Sequence, residues 1–245
     1  MNPRATTATA ARVLTQLRRD PRTVVLVLAV PPVLIALFRW VLDGQPETFD
    51  RIGVPLVGIF PLISMFLVTS ITMLRERTTG TLERLMTMPL RRGDLLFGYG
   101  LAFGLVAAIQ AGVTAGVAFG VLGLDVVGSP ALVVCLAVAN ALLGMSLGLF
   151  VSAFASTEFQ VAQFMPAVIM PQILLCGLIV PRDQMAGALQ TVSDVLPMSY
   201  AVDALTHVAT SATIDRSLIV DIVVVLGVTV LALALGAATL RRRTP

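Results

Sequence analysis

The sequence predicts an all-α integral membrane protein with six transmembrane helices, and three observations carry that prediction. Of the 245 residues, 57% are hydrophobic and only 13% charged, and the mean hydropathy is +0.92, far from the balance of a water-soluble domain. Six stretches are apolar over the roughly 20 residues that a helix needs to cross a bilayer. The arginines lie mostly on one side of the topology that these stretches define. All 245 residues fit a single transmembrane domain.

Residues 1–22 read as an interfacial helix. Ala10, Val13, Leu14 and Leu17 recur at helical spacing opposite Arg12, Arg18 and Arg19, and Asp20-Pro21 ends the run. Such a helix lies on the inner membrane surface. The charged region before the first apolar run is long and no A-x-A-like site follows, so the first span is expected to be retained rather than cleaved as a signal peptide. The six spans are 23–42, 52–74, 95–121, 130–154, 161–180 and 218–240. Pro31 and Pro32 interrupt the first, and Arg39 near its end snorkels toward the interface.

The third span places a small residue at every fourth position, Gly100, Gly104, Ala108, Gly112, Gly116 and Gly120, and the fourth repeats the idea with Asn140, Gly144, Gly148 and Ser152. Rows of this kind let helix backbones approach closely in lipid, where packing rather than the hydrophobic effect drives association. Two readings stay open, tight packing inside one subunit and a seam between two. In the fifth span Pro166 and Pro171 either kink the helix or let it bend. The connection 181–217 holds two apolar stripes, Leu189, Val192 and Leu196, then Met198, Ala201, Val202 and Leu205. They predict two short amphipathic helices dipping into the outer membrane face, with ordinary solvated loop helices as the alternative.

Thirteen of the 17 arginines fall in the N-terminal segment, the 75–94 loop and the tail, against four on the other side, Arg39, Arg51, Arg182 and Arg216. Positive residues mark cytoplasmic loops, so both termini and residues 75–94 face the cytoplasm. This clustering at ends and one loop is topological and argues against a nucleic-acid surface, although the net charge is +3. No lysine occurs, so the P-loop signature cannot be written in this sequence, and any ATP hydrolysis belongs to another chain.

Gly144-Met145-Ser146-Leu147-Gly148 matches G-x-S-x-G and His207 is the single histidine, which keeps an intramembrane serine hydrolase in view. That motif works at a sharp strand-to-helix turn, whereas here it sits mid-helix, where glycine and serine serve packing. Asp203, four residues before His207, predicts a pair across one helical turn. A lone histidine argues against a metal site. Cys135 and Cys176 fall in spans and read as small apolar residues. An ion-coupled carrier places an ionisable group near the midplane, and only Asp221, near an outer end, and Glu158, between spans, come near that description.

The longest polar stretch is "RERTTGTLERLMTMPLRRGD", residues 75–94. Gly80 and Pro89 bracket a short helix: Gly80 is a tolerable N-cap, Glu83 falls in the first turn where the helix dipole favours an acid, and Pro89 stops continuation. Leu82, Leu85 and Met86 share one face, while Glu83, Arg84 and Thr87 take the other. A short amphipathic helix held between two spans is shaped to seat in a groove of a soluble partner. The alternative is a solvated basic loop anchored to anionic lipid.

Arg75-Glu76-Arg77, then Gly80-Thr81-Leu82-Glu83-Arg84-Leu85, then Pro89, resemble the signature of type 2 ABC exporter permeases, the group that includes daunorubicin-resistance-type membrane subunits. The resemblance extends over the whole chain, through the inner-surface helix, the six spans, and "GLIVPRDQM" leading to "LPMSYAVDAL". It implies an ATPase-coupling interface made of Arg75, Glu76, Arg77, Gly80, Thr81, Leu82, Glu83, Arg84, Leu85, Met86 and Pro89, with 81–89 as the coupling helix in a cleft of a separate nucleotide-binding subunit. It implies re-entrant helices after the fifth span, no catalytic residue or cofactor in this chain, and ATP and Mg on the partner ATPase. A second permease subunit, identical or different, completes the expected assembly in the lipid of a bacterial plasma membrane. The expected function is outward movement of a lipophilic or amphiphilic compound such as a drug, antibiotic or lipid. Polysaccharide or lipid-linked glycan export is the alternative within the class, weakened by an aromatic content of only 6%. A non-transporting membrane anchor or sensor is the alternative outside it.

Overall fold

The computed structural model describes residues 3–81, 84 and 92–239, and all regular structure among them is helical. The helices are α1 (Pro3–Arg18), α2 (Pro21–Val41), α3 (Pro46–Thr78), α4 (Arg92–Gly120), α5 (Pro130–Val151), α6 (Glu158–Leu175), α7 (Gly187–Ser193), α8 (Pro197–Thr210) and α9 (Arg216–Thr239). Prolines open α2, α3, α5 and α8, where a fixed φ suits the first turn and no N–H is missed. Asp20 caps α2 by accepting from the Thr23 backbone N–H at 3.2 Å and the Thr23 hydroxyl at 2.7 Å. Asp215 caps α9 in the same way, accepting from the Leu218 N–H at 3.0 Å.

Among the described residues, five helices, α2, α3, α4, α5 and α9, are long and apolar enough to cross a membrane. The sixth stretch, expected as a span over 161–180, forms instead the 18-residue α6, displaced toward the N-terminus and ending at Leu175. Gly177 adopts a left-handed φ of 89° there, which ends the helix five residues before the hydropathy does. The second expected span, 52–74, lies inside a longer helix. α3 runs 33 residues, about 50 Å, because Pro46 starts it well before the apolar run and Gly80, at φ 70°, stops it only after the charged triplet.

α3 and α5 form the central pair, α9 packs on α5, α8 on α3 and α9, and α1 on α4. The row Asn140, Gly144, Gly148 and Ser152 on α5 is the seam of that pair, and all four residues are buried. A methyl group at Gly144 would overlap the Leu62 carbonyl and one at Gly148 the Phe66 carbonyl, so only glycine lets the two backbones meet. Ser70 ties the seam with its hydroxyl, which donates to the Gly148 carbonyl at 3.0 Å. The glycine row of α4 does the opposite. Gly112, Gly116 and Gly120 face outward with nothing near the place a side chain would occupy, and the inward face is built from Ala107, Ala111, Ala115 and Ala118.

Pro31 cannot donate to the Val27 carbonyl one turn earlier, an orphan that is costly in lipid. The fully buried Gln110 of α4 supplies the missing donor, its Nε2 lying 2.8 Å from that oxygen. The apolar side of α1 rests on the protein: Ala10 and Val13 are buried with Tyr99 and Phe103 of α4. Of the two stripes expected in 181–217, Met198, Ala201, Val202 and Leu205 of α8 are buried in the core, whereas Leu189 and Val192 of α7 stay exposed.

Candidate functional site

The last turn of α3 gathers three charged residues, and each reaches a different helix. Glu76 points inward, with a side chain only 6% exposed. Arg12 of α1 meets it with its two terminal guanidinium nitrogens, at 3.0 Å and 3.3 Å, and also donates to the Tyr99 hydroxyl of α4 at 2.7 Å. The planar fork suits such bidentate contact, and the Arg12 guanidinium lies 5.8 Å from the Tyr99 ring centre. One arginine therefore joins α1 to both helices that flank the 79–91 segment.

Arg75 points outward and binds Glu158 at the start of α6, at 2.7 Å and 3.2 Å. Both partners are more than half exposed, so the pair contributes on the order of 0.5 kcal/mol. Arg77 reaches the Thr239 hydroxyl at the end of α9, at 3.4 Å. Asp94 is buried in the first turn of α4. The end of the bundle that carries the loop is thus knitted across α1, α3, α4, α6 and α9.

Beyond Thr78, the Gly80 carbonyl accepts from the Arg84 N–H at 3.1 Å, the i to i+4 bond with which a helix begins. The Thr79 and Thr81 hydroxyls lie 3.0 Å apart across the turn. Leu82, Glu83, Leu85, Met86 and Pro89 of the expected coupling interface lie outside the described residues. Sequence reasoning named Arg75, Glu76 and Arg77 but not their partners Arg12, Tyr99, Glu158 and Thr239. The available signal was Glu158, an acid at the start of a helix in an apolar chain.

At the opposite end a second knot surrounds Arg182, which bridges Asp194 and Asp203 and lies 5.5 Å from the Tyr200 ring centre. The Tyr200 hydroxyl donates to the Asp194 carbonyl at 2.7 Å, and the Ser193 hydroxyl to the Leu175 carbonyl at 2.7 Å, so α7 is fastened to both its neighbours. The expected pair of Asp203 with His207 is not formed. Asp203 serves Arg182, and the His207 ring meets the Thr213 carbonyl at 3.0 Å, with Asp215 at 3.7 Å. The Asp215 carboxyl is held below the usual carboxylate range by donation from the Leu218 N–H and the Ser217 hydroxyl. Asp20 is lowered in the same way, by the Thr23 hydroxyl and N–H.

Ser146 is fully buried and its hydroxyl donates to the Leu143 carbonyl at 2.8 Å, an internal helix bond. With the flanking glycines consumed by the α3 contact, the G-x-S-x-G match is a packing motif.

The ABC-2 type transporter family model matches residues 4–209, most of the chain. The probable multidrug ABC transporter permease YbhS of Escherichia coli (strain K12) is 24% identical over 178 residues, which cover 72% of this chain and 47% of that protein. The probable multidrug ABC transporter permease YbhR of the same strain is 29% identical over 148 residues, covering 60% and 40%. ABC transporter G family member 20 of Dictyostelium discoideum is 25% identical over 166 residues, covering 66% and 22%. The matched stretch spans less than half the length of each of these relatives. With several helices long and apolar enough to cross a membrane and a charged junction at one end, the chain belongs to the ABC-2 type transporter family.

Proposed function

We propose that this chain is the membrane subunit of an ATP-driven exporter that moves a lipophilic or amphiphilic compound outward, energised by a separate nucleotide-binding ATPase. In this reading α6 is the sixth crossing, α7 and α8 are re-entrant helices at the outer face, and both termini lie in the cytoplasm of a bacterium. Residues 75–94 receive the ATPase, and ATP with its Mg sits there on the partner. Two permease subunits, identical or different, complete the pathway.

The observation that carries the reading is the Arg12–Glu76–Tyr99 clamp. A force applied to the 79–91 segment reaches α3 and α4 directly and α1 through Arg12, so the junction moves as one block. Within it Arg12, Glu76 and Tyr99 are positioning residues, while the contact with the ATPase is assigned to Gly80, Thr81, Leu82, Glu83, Arg84, Leu85, Met86 and Pro89, together with the exposed side of Arg75 and the turn that follows Arg77.

A mild-detergent pull-down of the tagged chain from its native membrane, followed by mass spectrometry, is expected to recover a soluble subunit carrying a P-loop lysine. Glu83→Arg, which inverts the charge in the first turn of the coupling helix, is expected to reduce that recovery or to uncouple ATP hydrolysis from transport. Absence of any ATPase, even after crosslinking through a cysteine introduced at Leu85, overturns the coupling assignment.

A further inference from the structure

α2 passes from one hydrophobic cluster of the protein to another, and its two internal prolines lie at the crossing. In its first half Val27 is buried with Ala10 and Val13 of α1 and with Tyr99 and Phe103 of α4. In its second half Ile35 is buried with Phe49, Val54 and Val57 of α3, and Leu42 just beyond the helix packs against the same cluster. Pro31 and Pro32 fall between. The two halves are therefore held by different neighbours. The first follows α1, since only Arg19 and Asp20 separate the two helices. The second is held to the start of α3, where the Arg39 guanidinium lies 5.5 Å from the Phe49 ring centre.

Consecutive prolines remove two rungs of the helix ladder, the donors to the Val27 and Leu28 carbonyls. A helix bends most readily at such a place. α2 also has room on both flanks, a groove of about 590 Å³ toward α1 and α3 and another of about 550 Å³ toward α4.

Gln110 answers the first missing donor from α4, a helix without proline. It sits between Ala107, which belongs to the cluster of Val27, and Ala111, which belongs to that of Ile35. Its Nε2 lies 2.8 Å from the Val27 carbonyl oxygen, and its Oε1 is buried with no partner among the described residues. The amide is thus spent on one contact. A backbone N–H fixes the direction of its carbonyl, whereas an amide on a flexible stem follows the carbonyl through a bend and keeps it satisfied where lipid offers no donor. Pro31→Ala with Gln110→Leu would satisfy the same oxygen through the ladder and bury no amide, so stability alone does not account for the pair.

We propose that α2 is hinged at Pro31 and Pro32, with Gln110 as the positioning residue on which it turns, so that the first half moves with α1 while the second stays with α3. The inference rests on the permease reading and deepens it by naming where motion of the charged junction is absorbed within the bundle. From Pro21 to Pro31 the moving arm is about 15 Å long, and a swing of about 15° carries its tip about 4 Å.

The test uses the full chain in phosphatidylcholine nanodiscs without ATP or any partner. Gln110→Leu is expected to lower the thermal unfolding midpoint by about 5 °C. In a Pro31→Ala chain, where the backbone N–H of residue 31 serves the Val27 carbonyl, the same change is expected to cost much less. A Gln110→Leu chain that folds only when Pro31→Ala is added is the same result in stronger form. Equal losses in the two backgrounds overturn the role of Gln110. The hinge itself is read with spin labels after Cys135 and Cys176 are replaced by alanine. One label pair is Arg22→Cys with Phe154→Cys and the other Trp40→Cys with Phe154→Cys, all at exposed positions. The first pair is expected to show a broad distance distribution that Pro31→Ala/Pro32→Ala narrows, and the second to be unchanged by that substitution. An unaltered width in the first pair, or equal narrowing in both, overturns the hinge. Since the assay contains no ATPase, a rigid α2 leaves the permease reading standing. A hinged chain that recruits no ATPase in the pull-down sinks the permease reading alone.

Discussion

Arg12 and Glu76 are 64 residues apart in the sequence, and their bond decides where α1 sits. Glu76 keeps only 6% of its side chain in contact with solvent, against 26% for Arg12, so removing the arginine leaves a buried carboxylate without its counter-charge. Arg12→Ala is expected to destabilise the protein by about 3 kcal/mol, read as a lower thermal unfolding midpoint in detergent. Arg12→Leu combined with Glu76→Leu is expected to recover most of that loss, since no buried charge remains. The same recovery is not expected for transport, because the link between α1 and α3 is gone. The charged triplet Arg75, Glu76 and Arg77 was legible as a motif, and Arg12 was legible as a charge on the cytoplasmic side. Their pairing was not, because a contact between residues so distant in sequence leaves no trace in composition or period. For Ser146 the local surroundings were enough: a serine in the middle of an apolar helix read as packing, and its bond to the Leu143 carbonyl is of that kind.

Helices are where hydropathy informs most and misleads in a consistent way. The apolar runs located α2, α4, α5 and α9 to within a few residues. They missed the ends of α3 and α6, which are set by Pro46, Gly80 and Gly177 rather than by oiliness. Small-residue rows were equally visible in α4 and α5, yet one is a seam and the other faces outward, since spacing alone does not say which side of a helix meets a neighbour. That difference is measurable. Gly144→Ala puts a methyl group into the Leu62 carbonyl and is expected to cost about 2 to 3 kcal/mol of stability. Gly116→Ala meets nothing and is expected to be neutral or stabilising by up to about 1 kcal/mol, because alanine restricts the unfolded chain and favours the helix. Unfolding midpoints of the two variants in one detergent make the comparison, and equal losses would show that the α4 row is packed as tightly as the α5 row.

For the molecule as a whole, the arginine distribution sets an orientation that cysteine labelling checks. Of the two native cysteines Cys135 is exposed and Cys176 buried. With both replaced by alanine, a cysteine introduced at Ala212, exposed beyond α8, is expected to react with an impermeant maleimide on intact cells. A cysteine at Thr79, exposed beyond α3, is expected to react only after permeabilisation. Reversed labelling would invert the topology and move the charged junction out of reach of a cytoplasmic ATPase.

The unusual length of α3 bears on how such a molecule works mechanically. Its 33 residues make a rod about 50 Å long, and its two internal prolines, Pro55 and Pro61, are buried where neighbours brace them. At one tip the rod is gripped by α1 and α6 through Glu76 and Arg75. At the other, Asp50 accepts from the Asp125 N–H at 3.0 Å and Phe49 lies 5.5 Å beneath the Arg39 guanidinium. A tilt of about 5° about the midpoint displaces each tip by about 2 Å over that length. The helix is a lever, and the close-packed glycines at Leu62 and Phe66, near its midpoint, are the fulcrum against which it must turn.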